Sequence, residues 1–295
     1  MTSQVNATVR VGSSRAACAL LLVSAASSTG AIAAPASGPM PHRAIYDITL
    51  ERAATASGIG ELNGRMVYEL SGSSCAGFTQ KMRLVTRIVD REGNPQVNDL
   101  RTSSFETADG KRLDFDIRQF RDKDLAEATE GAARRTPDGA SIEIDLKQPE
   151  KKTIAVDERV HFPMQHTLEL LAHARAGDKV MKSLLYDGSE RGERVFATTA
   201  FIGESLPKEA VDRALPSGLS GRAALLDVPA WPVGMSYYDN DADEQDAVPD
   251  YELSFRFHAN GVSTDLVIDY GDFAIRGALR ELAVMPAEPC PARQP

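Results

Sequence analysis

The chain has 295 residues, a formal charge of −9 and 42% hydrophobic residues, with three cysteines. That length supports one sizeable core or two small domains. The acidic balance, with no basic patch of useful size, argues against a nucleic-acid or anionic-membrane partner.

Arg10 and Arg15 precede an apolar run from Ala16 to Ala26, and small residues continue as far as Ala34. This order is that of a secretory signal peptide, with the cut expected between Ala33 and Ala34. The run is shorter than the ~20 apolar residues a membrane span needs, which disfavours an uncut anchor. Residues 1–33 are therefore read as a cleaved leader and 34–295 as a single β-rich domain of the periplasm. Loss of the two leader arginines takes the charge from −9 to −11. Cys18 leaves with the leader, so Cys75 and Cys290 remain. An even pair in an oxidising compartment reads as a disulfide, with two unpaired thiols as the alternative.

Strict alternation dominates the chain beyond the leader. Tyr46-Ile48-Leu50, Met66-Tyr68-Leu70, Met82-Leu84, Leu113-Phe115-Ile117, Ile142-Ile144-Leu146, Tyr251-Leu253-Phe255-Phe257 and Leu266-Ile268-Tyr270 each put apolar side chains on one face. Period two with polar residues between predicts antiparallel sheet that is wet on one side. Asp109-Gly110, Asp138-Gly139, Asp187-Gly188 and Asn260-Gly261 supply turns, the last joining two clean runs as a hairpin. From Pro163 to Ala176, Met164, Leu168, Leu171 and Ala172 fall at helical spacing, with Gly177 as the cap. A shorter helix is predicted between Pro207 and Pro216, and residues 217–232 read as loop. The expected fold is mainly β: a long curled antiparallel sheet wrapping one amphipathic helix, whose Met164, Leu168 and Leu171 bury against the concave face. A two-sheet sandwich with a surface helix is the alternative.

Chemistry-bearing motifs are sparse. His161, His166 and His173 gather near the helix. His166 and His173 lie about 10.5 Å apart along its axis and so cannot share one ion unaided. Both fall opposite the apolar stripe and are expected to face solvent. Asp239, Asp241, Asp243 and Asp250 imitate calcium-loop positions, yet Glu244 replaces the required glycine, so a solvated loop is the better reading. No nucleophile elbow, P-loop or dinucleotide fingerprint occurs. No catalytic residue, metal site or cofactor is expected.

Several short motifs, in order, resemble a periplasmic family of alphaproteobacteria. They are His42-Arg43-Ala44-Ile45-Tyr46-Asp47, Gly64-Arg65-Met66-Val67-Tyr68, Cys75-Ala76-Gly77-Phe78, Phe162-Pro163 and Tyr186-Asp187-Gly188-Ser189. Trp231-Pro232-Val233, Asn260-Gly261-Val262-Ser263, Asp269-Tyr270-Gly271-Asp272-Phe273 and Cys290 complete the set. The family is that of the cell envelope integrity protein EipB, once a domain of unknown function. The resemblance implies a β-spiral with a helix in its concavity, similar in shape to carriers of lipoproteins across the periplasm. It also implies one disulfide, here Cys75 to Cys290, and a role in envelope integrity under stress, and it offers no established enzymatic activity or catalytic residues to carry over. The expected function is a non-enzymatic binding or scaffold module with an envelope protein partner. The alternative is a carrier of a lipid, acyl chain or lipoprotein held between sheet and helix. An enzyme acting on envelope polymers is the least favoured reading.

Overall fold

A computed structural model describes residues 38–240 and 248–290. The leader 1–33 and its cut, and Asp241, Asp243 and Glu244 of the acidic run, lie outside the described residues. The N-terminal half is an uninterrupted meander. Its strands are β1 (His42–Ala53), β2 (Ile59–Ser73), β3 (Gly77–Asp90), β4 (Pro95–Glu106), β5 (Arg112–Arg121), β6 (Asp124–Arg135), β7 (Ser141–Gln148) and β8 (Lys152–Asp157). Each pairs antiparallel with the next. The C-terminal half begins with β9 (Val160–His161), the helix α1 (Pro163–Ala176), β10 (Val180–Leu185) and β11 (Phe196–Ile202). Two short helices, α2 (Lys208–Ala214) and α3 (Ala223–Leu226), lead to β12 (Ala230–Asp239), β13 (Tyr251–His258), β14 (Ser263–Asp269) and β15 (Phe273–Val284).

The two halves join because β15 returns to pair antiparallel with β1. The result is one 15-stranded sheet with β8 at one edge and β9 at the other. Sequence then forces curvature. Only two residues separate Asp157 at the end of β8 from Val160 at the start of β9. Three residue steps span at most about 10 Å, so the two edges of the sheet must approach each other. Right-handed twist accumulated over many strands makes such curling the ordinary fate of a long sheet. The sheet is barrel-like and nearly closed, as the sequence led one to expect of a curled antiparallel sheet.

The concave face carries the core. The main cluster draws Ala44, Tyr46 and Ile48 from β1, Leu170 and Leu171 from α1, and inward residues of β10 to β15. Val211, Leu215 and Leu225 of the α2–α3 segment join it. A second cluster sits where the edges meet, with Phe115, Ile142, Ile144 and Leu146 against Val160, Phe162 and Tyr186. Here Gly188 has φ +80° and lies so close to Phe115 that a Cβ would come within 2.4 Å of the ring. Glycine is needed at that turn both for its left-handed backbone and for the contact.

Three expectations need correction. The helix α1 spans Pro163–Ala176 and Gly177 caps it at φ 83°, but its buried face is Met164, His166, Leu170, Leu171 and Ala174. Leu168 is 38% exposed and does not pack on the concave sheet face. The face is turned by roughly one residue, about 100° of helix, from the Met164/Leu168/Leu171 stripe. The reason lies in its N-terminus. The N-cap position is Phe162, whose ring cannot accept a hydrogen bond. Glu106 at the end of β4 does so instead, taking the Met164 and Gln165 amides at 2.7 and 3.1 Å. That tether, with Met164 in a small cluster beside Leu70 and Phe78, fixes the helix's rotation. Second, His166 is buried rather than solvent-facing. Third, the Trp231-Pro232 stretch read as loop opens β12, where Pro232 stands opposite Arg256 of β13. A proline is tolerated there because it sits near the strand's start, one residue before β12 begins to pair with β11 at Val233.

Candidate functional site

Between the concave face and α1 lies a partly open cavity of about 310 Å³. Cross-strand register builds its sheet wall. Tyr46 of β1 stands opposite Met66 of β2, and Tyr68 opposite Met82 of β3, so all four share the inner face. On the other half, Met235 pairs with Leu253, and Leu253 with Ile268. Phe255 and Phe257 lie on the same face of β13, and α1 closes the space with His166, Thr167 and Leu170. Alternation explains why these residues converge: every second side chain of an inward strand points to the same side.

Among the described residues, no Asp, Glu, Lys or Arg lines this cavity. Its polar groups are largely engaged. The Tyr46 hydroxyl donates to the Ser263 carbonyl at 2.7 Å. His166 Nε2 lies 3.1 Å from Thr198 Oγ1, which in turn donates to the Ser183 carbonyl. His42 Nδ1 donates to the Met40 carbonyl at 2.7 Å. Burial, with His161 nearby, holds the His166 ring down to about 4, and burial lowers His42 as well. Both rings are therefore neutral at pH 7. Burial raises the phenols of Tyr46, Tyr68 and Tyr237, so all three keep their protons. The cavity is uncharged, aromatic-rich and of a size at the lower end of ordinary ligand pockets, about 300–1,000 Å³.

A second polar feature lies at the helix N-terminus. Burial pushes the Glu106 carboxyl up to about 7, against the Met164 and Gln165 amides and Arg135, which pull it down. Arg135 donates to the Gly110, Glu158 and Val160 carbonyls and to Gln165, tying β6, both sheet edges and α1 together. This arrangement is structural: every donor and acceptor named is spent on holding the helix in the sheet.

None of the remaining sequence candidates lines that cavity. Cys75, in the turn between β2 and β3, is bonded to Cys290 with Cα atoms 5.4 Å apart. The tail also makes a backbone hydrogen bond from Glu288 to Gly72 and one from Met285 to Pro41. Met164 and Leu171 are buried at 2% and 1% exposure. His173 pairs with Asp178 at 2.7 Å and also approaches Glu169 at 3.9 Å, His161 approaches the same Glu169 at 3.3 Å, and His166 bonds instead to Thr198. No group that could hold a metal ion occurs among the described residues. Asp239 and Asp250, the ends of the calcium-like run, both lie on Arg194, at 3.5 and 2.9 Å. The inner faces of β1, β2, β3, β13 and β14 follow from alternation. Met235 and Tyr237 do not, since their strand starts inside a Gly/Pro-punctuated segment. His166 does not either, because helical spacing was anchored on Leu168.

Comparison with known proteins decides the family. A family profile described as EipB-like matches residues 33–286. The chain belongs to the EipB-like family. The cell envelope integrity protein EipB of Brucella abortus (strain 2308) is 41% identical over 258 residues, covering 86% of this chain and 87% of that one. A crystal structure of a β-barrel-like protein of the domain of unknown function DUF1849, from Brucella abortus, superposes with a TM-score of 0.77 at 36% identity. It covers 85% of this EipB-like chain and 100% of its own. The barrel-like architecture of the EipB-like chain is thus shared with a solved relative.

Proposed function

We propose that this protein is a non-enzymatic binding module of the periplasm that supports the integrity of the cell envelope, and that its interior cavity takes an apolar chain. The name of the Brucella relative, cell envelope integrity protein, supports the first part. The observation that carries the second is the cavity itself: about 310 Å³ between α1 and the concave face, with no Asp, Glu, Lys or Arg among the described residues of its lining. A substrate-transforming site would need a positioned acid, base or nucleophile. The two histidines of the lining are instead engaged within the protein, His42 with the Met40 carbonyl and His166 with Thr198. A long acyl chain fits such a lining because each methylene withdrawn from water contributes about 0.8 kcal/mol.

The test is native mass spectrometry of protein recovered gently from the periplasm, followed by solvent extraction. The wild-type chain should carry a long-chain lipid. Leu253→Trp, which fills the cavity from β13, should fold and carry none. Recovery of equal lipid from both forms, or of none from either, would contradict this reading.

A further inference from the structure

The lining of the interior cavity differs from one end to the other. Along β13 it extends from Leu253 to Phe257, four residues or about 13 Å. Leu253 stands between Met235 of β12 and Ile268 of β14, so this end is apolar. Phe257 stands opposite Ser263, whose carbonyl takes the Tyr46 hydroxyl. Ser263 and His42 are the first residues of β14 and β1. Those two strands run the same way, since both pair antiparallel with β15. His42 therefore lies past Tyr46 toward the Ser263 end, and the Tyr68 ring packs against it with centroids 5.6 Å apart.

Two polar groups at this end are left to bond a ligand. His42 gives its Nδ1 proton to the Met40 carbonyl, so the neutral ring keeps Nε2 as an acceptor. No donor reaches Nε2 among the described residues. The Tyr68 hydroxyl likewise has no hydrogen-bond partner among the described residues, and burial alone raises its pKa. Buried donors and acceptors are otherwise paired as a rule, so two unpaired ones on neighbouring rings call for a partner. Both residues line the cavity, which brings them within reach of whatever enters it. The Tyr237 phenol, at the apolar end, is stacked on Tyr251 at 4.3 Å and has no imidazole ring against it among the described residues.

On the reading that the cavity takes an apolar chain, we infer that its ligand is an uncharged amphiphile, with a hydroxyl or amide head between His42 and Tyr68 and a tail lying along β13 toward Leu253. A hydroxyl or a secondary amide both donates and accepts. One such head gives a hydrogen bond to His42 Nε2 and takes one from the Tyr68 hydroxyl. A carboxylate or phosphate head sets an acceptor against the Nε2 acceptor. It is also buried with no Lys or Arg in the lining among the described residues, and an uncompensated buried charge is strongly disfavoured. An ammonium head meets no Asp or Glu there and accepts nothing from Tyr68.

Met82 stands opposite Tyr68, and Met235 opposite Leu253, so their methyl groups report on the two ends separately. Methyl NMR of the methionine-labelled full chain at pH 7, titrated with a set of eight-carbon probes, tests the inference. 1-Octanol should shift both methyls and bind about tenfold more tightly than octanoate or octyltrimethylammonium. Tyr68→Phe should weaken octanol about fivefold. It should leave 1-chlorooctane, which has no oxygen to give or take a hydrogen bond, bound as in the wild type. Tyr237→Phe should leave octanol unchanged. The comparison of probes in the wild type stands whether or not Tyr68→Phe folds. Equal binding of octanol and octanoate would overturn the inference and leave the apolar-chain reading in place, as would octanol affinity unchanged in a folded Tyr68→Phe. Tighter binding of octyltrimethylammonium would assign the aromatic rings as a cage for a cation and overturn it equally. No shift at Met82 or Met235 with any probe would overturn the apolar-chain reading and the inference with it.

Discussion

The two halves of the sheet, β2 to β8 and β10 to β15, are similar in strand content and differ in how they are covered. In the first half one face is wet, and its outer surface is laced with ion pairs such as Arg83–Asp99–Arg101, Arg112–Asp114 and Arg118–Asp116. Its long strands bury few residues, as in β3, where only Gly77, Phe78 and Thr86 are buried, and burial in succession occurs there in β6 at Gly131, Ala132 and Ala133, close to where the edges meet. In the second half α1 covers the inner face, and the α2–α3 segment adds Val211, Leu215 and Leu225 to the main core. There β12 buries Ala230 and Trp231 in succession, and later Met235, Ser236 and Tyr237. The difference teaches that period-two alternation reports a wet face rather than a strand as such. Where helices and loops cover both faces, the strand remains and its alternation fades.

The disulfide ties the halves together across the β1–β15 join, and its removal should have the largest effect. Closing a loop of sequence separation 215 contributes about 5 kcal/mol in the chain-entropy model. Cys75→Ser with Cys290→Ser should lower stability by about 2–5 kcal/mol in urea unfolding while the far-ultraviolet circular dichroism of the folded state is kept. An unchanged midpoint would show that the Glu288–Gly72 and Met285–Pro41 contacts suffice to hold the tail.

The helix gives the next effect and reverses the expectation from the sequence. Leu170→Ala, in the main core, should cost about 2–5 kcal/mol. Leu168→Ala, on the exposed side, should stay within about 0.5 kcal/mol. Chemical denaturation of both variants decides which side of α1 faces the sheet.

Acid should act mainly through the second half and the helix. His166 and His258 are held down to about 4 by burial, against an unfolded value near 6.5. A group depressed in the folded state stabilises above its unfolded pKa, and that stability is lost as pH falls from about 6.5 toward 4. Each histidine can contribute on the order of 3 kcal/mol over that window. Glu106, pushed up to about 7, works in the opposite sense between pH 7 and 4.5. Stability should therefore fall on acidification, less steeply in His166→Gln and more steeply in Glu106→Gln. Urea midpoints at pH 7, 6, 5 and 4 measure both slopes.

The smallest effect belongs to the outer face of the first half. Asp99 is held down to about 2, first by its hydrogen bond from Arg83 and then by Arg101. Both arginines are half exposed, so solvent screening leaves roughly 1 kcal/mol to be lost in Asp99→Asn. The same loss should appear in the wild type as pH falls from about 4 to 2.

The same contrast explains how much was legible in the sequence. Ile142-Ile144-Leu146 and Leu113-Phe115-Ile117 announced β7 and β5 because their outward neighbours are charged. β4 and β6 were not announced, since Asn98 to Phe105 and Asp124 to Arg135 mix small and polar residues on both faces. In the cavity, Tyr46, Met66, Tyr68, Leu253 and Phe255 could be read from alternation, and Met235 and Tyr237 could not. The rotation of α1 was invisible in its own sequence, because Glu106, 58 residues from Met164, sets it. The same tether buries His166, a polar residue that no helical stripe would have placed inside.

The interior cavity is the centre of the proposed function, and methionine methyl groups report on it directly. Met66, Met82 and Met235 line it, Met181 is buried outside it, and Met40 and Met285 line a separate cavity beneath Cys290. Methyl NMR of methionine-labelled protein, titrated with a neutral long-chain alcohol, should shift Met66, Met82 and Met235 together at saturation and leave Met181, Met40 and Met285 in place. Shifts confined to Met40 and Met285, or none at any methionine, would contradict it.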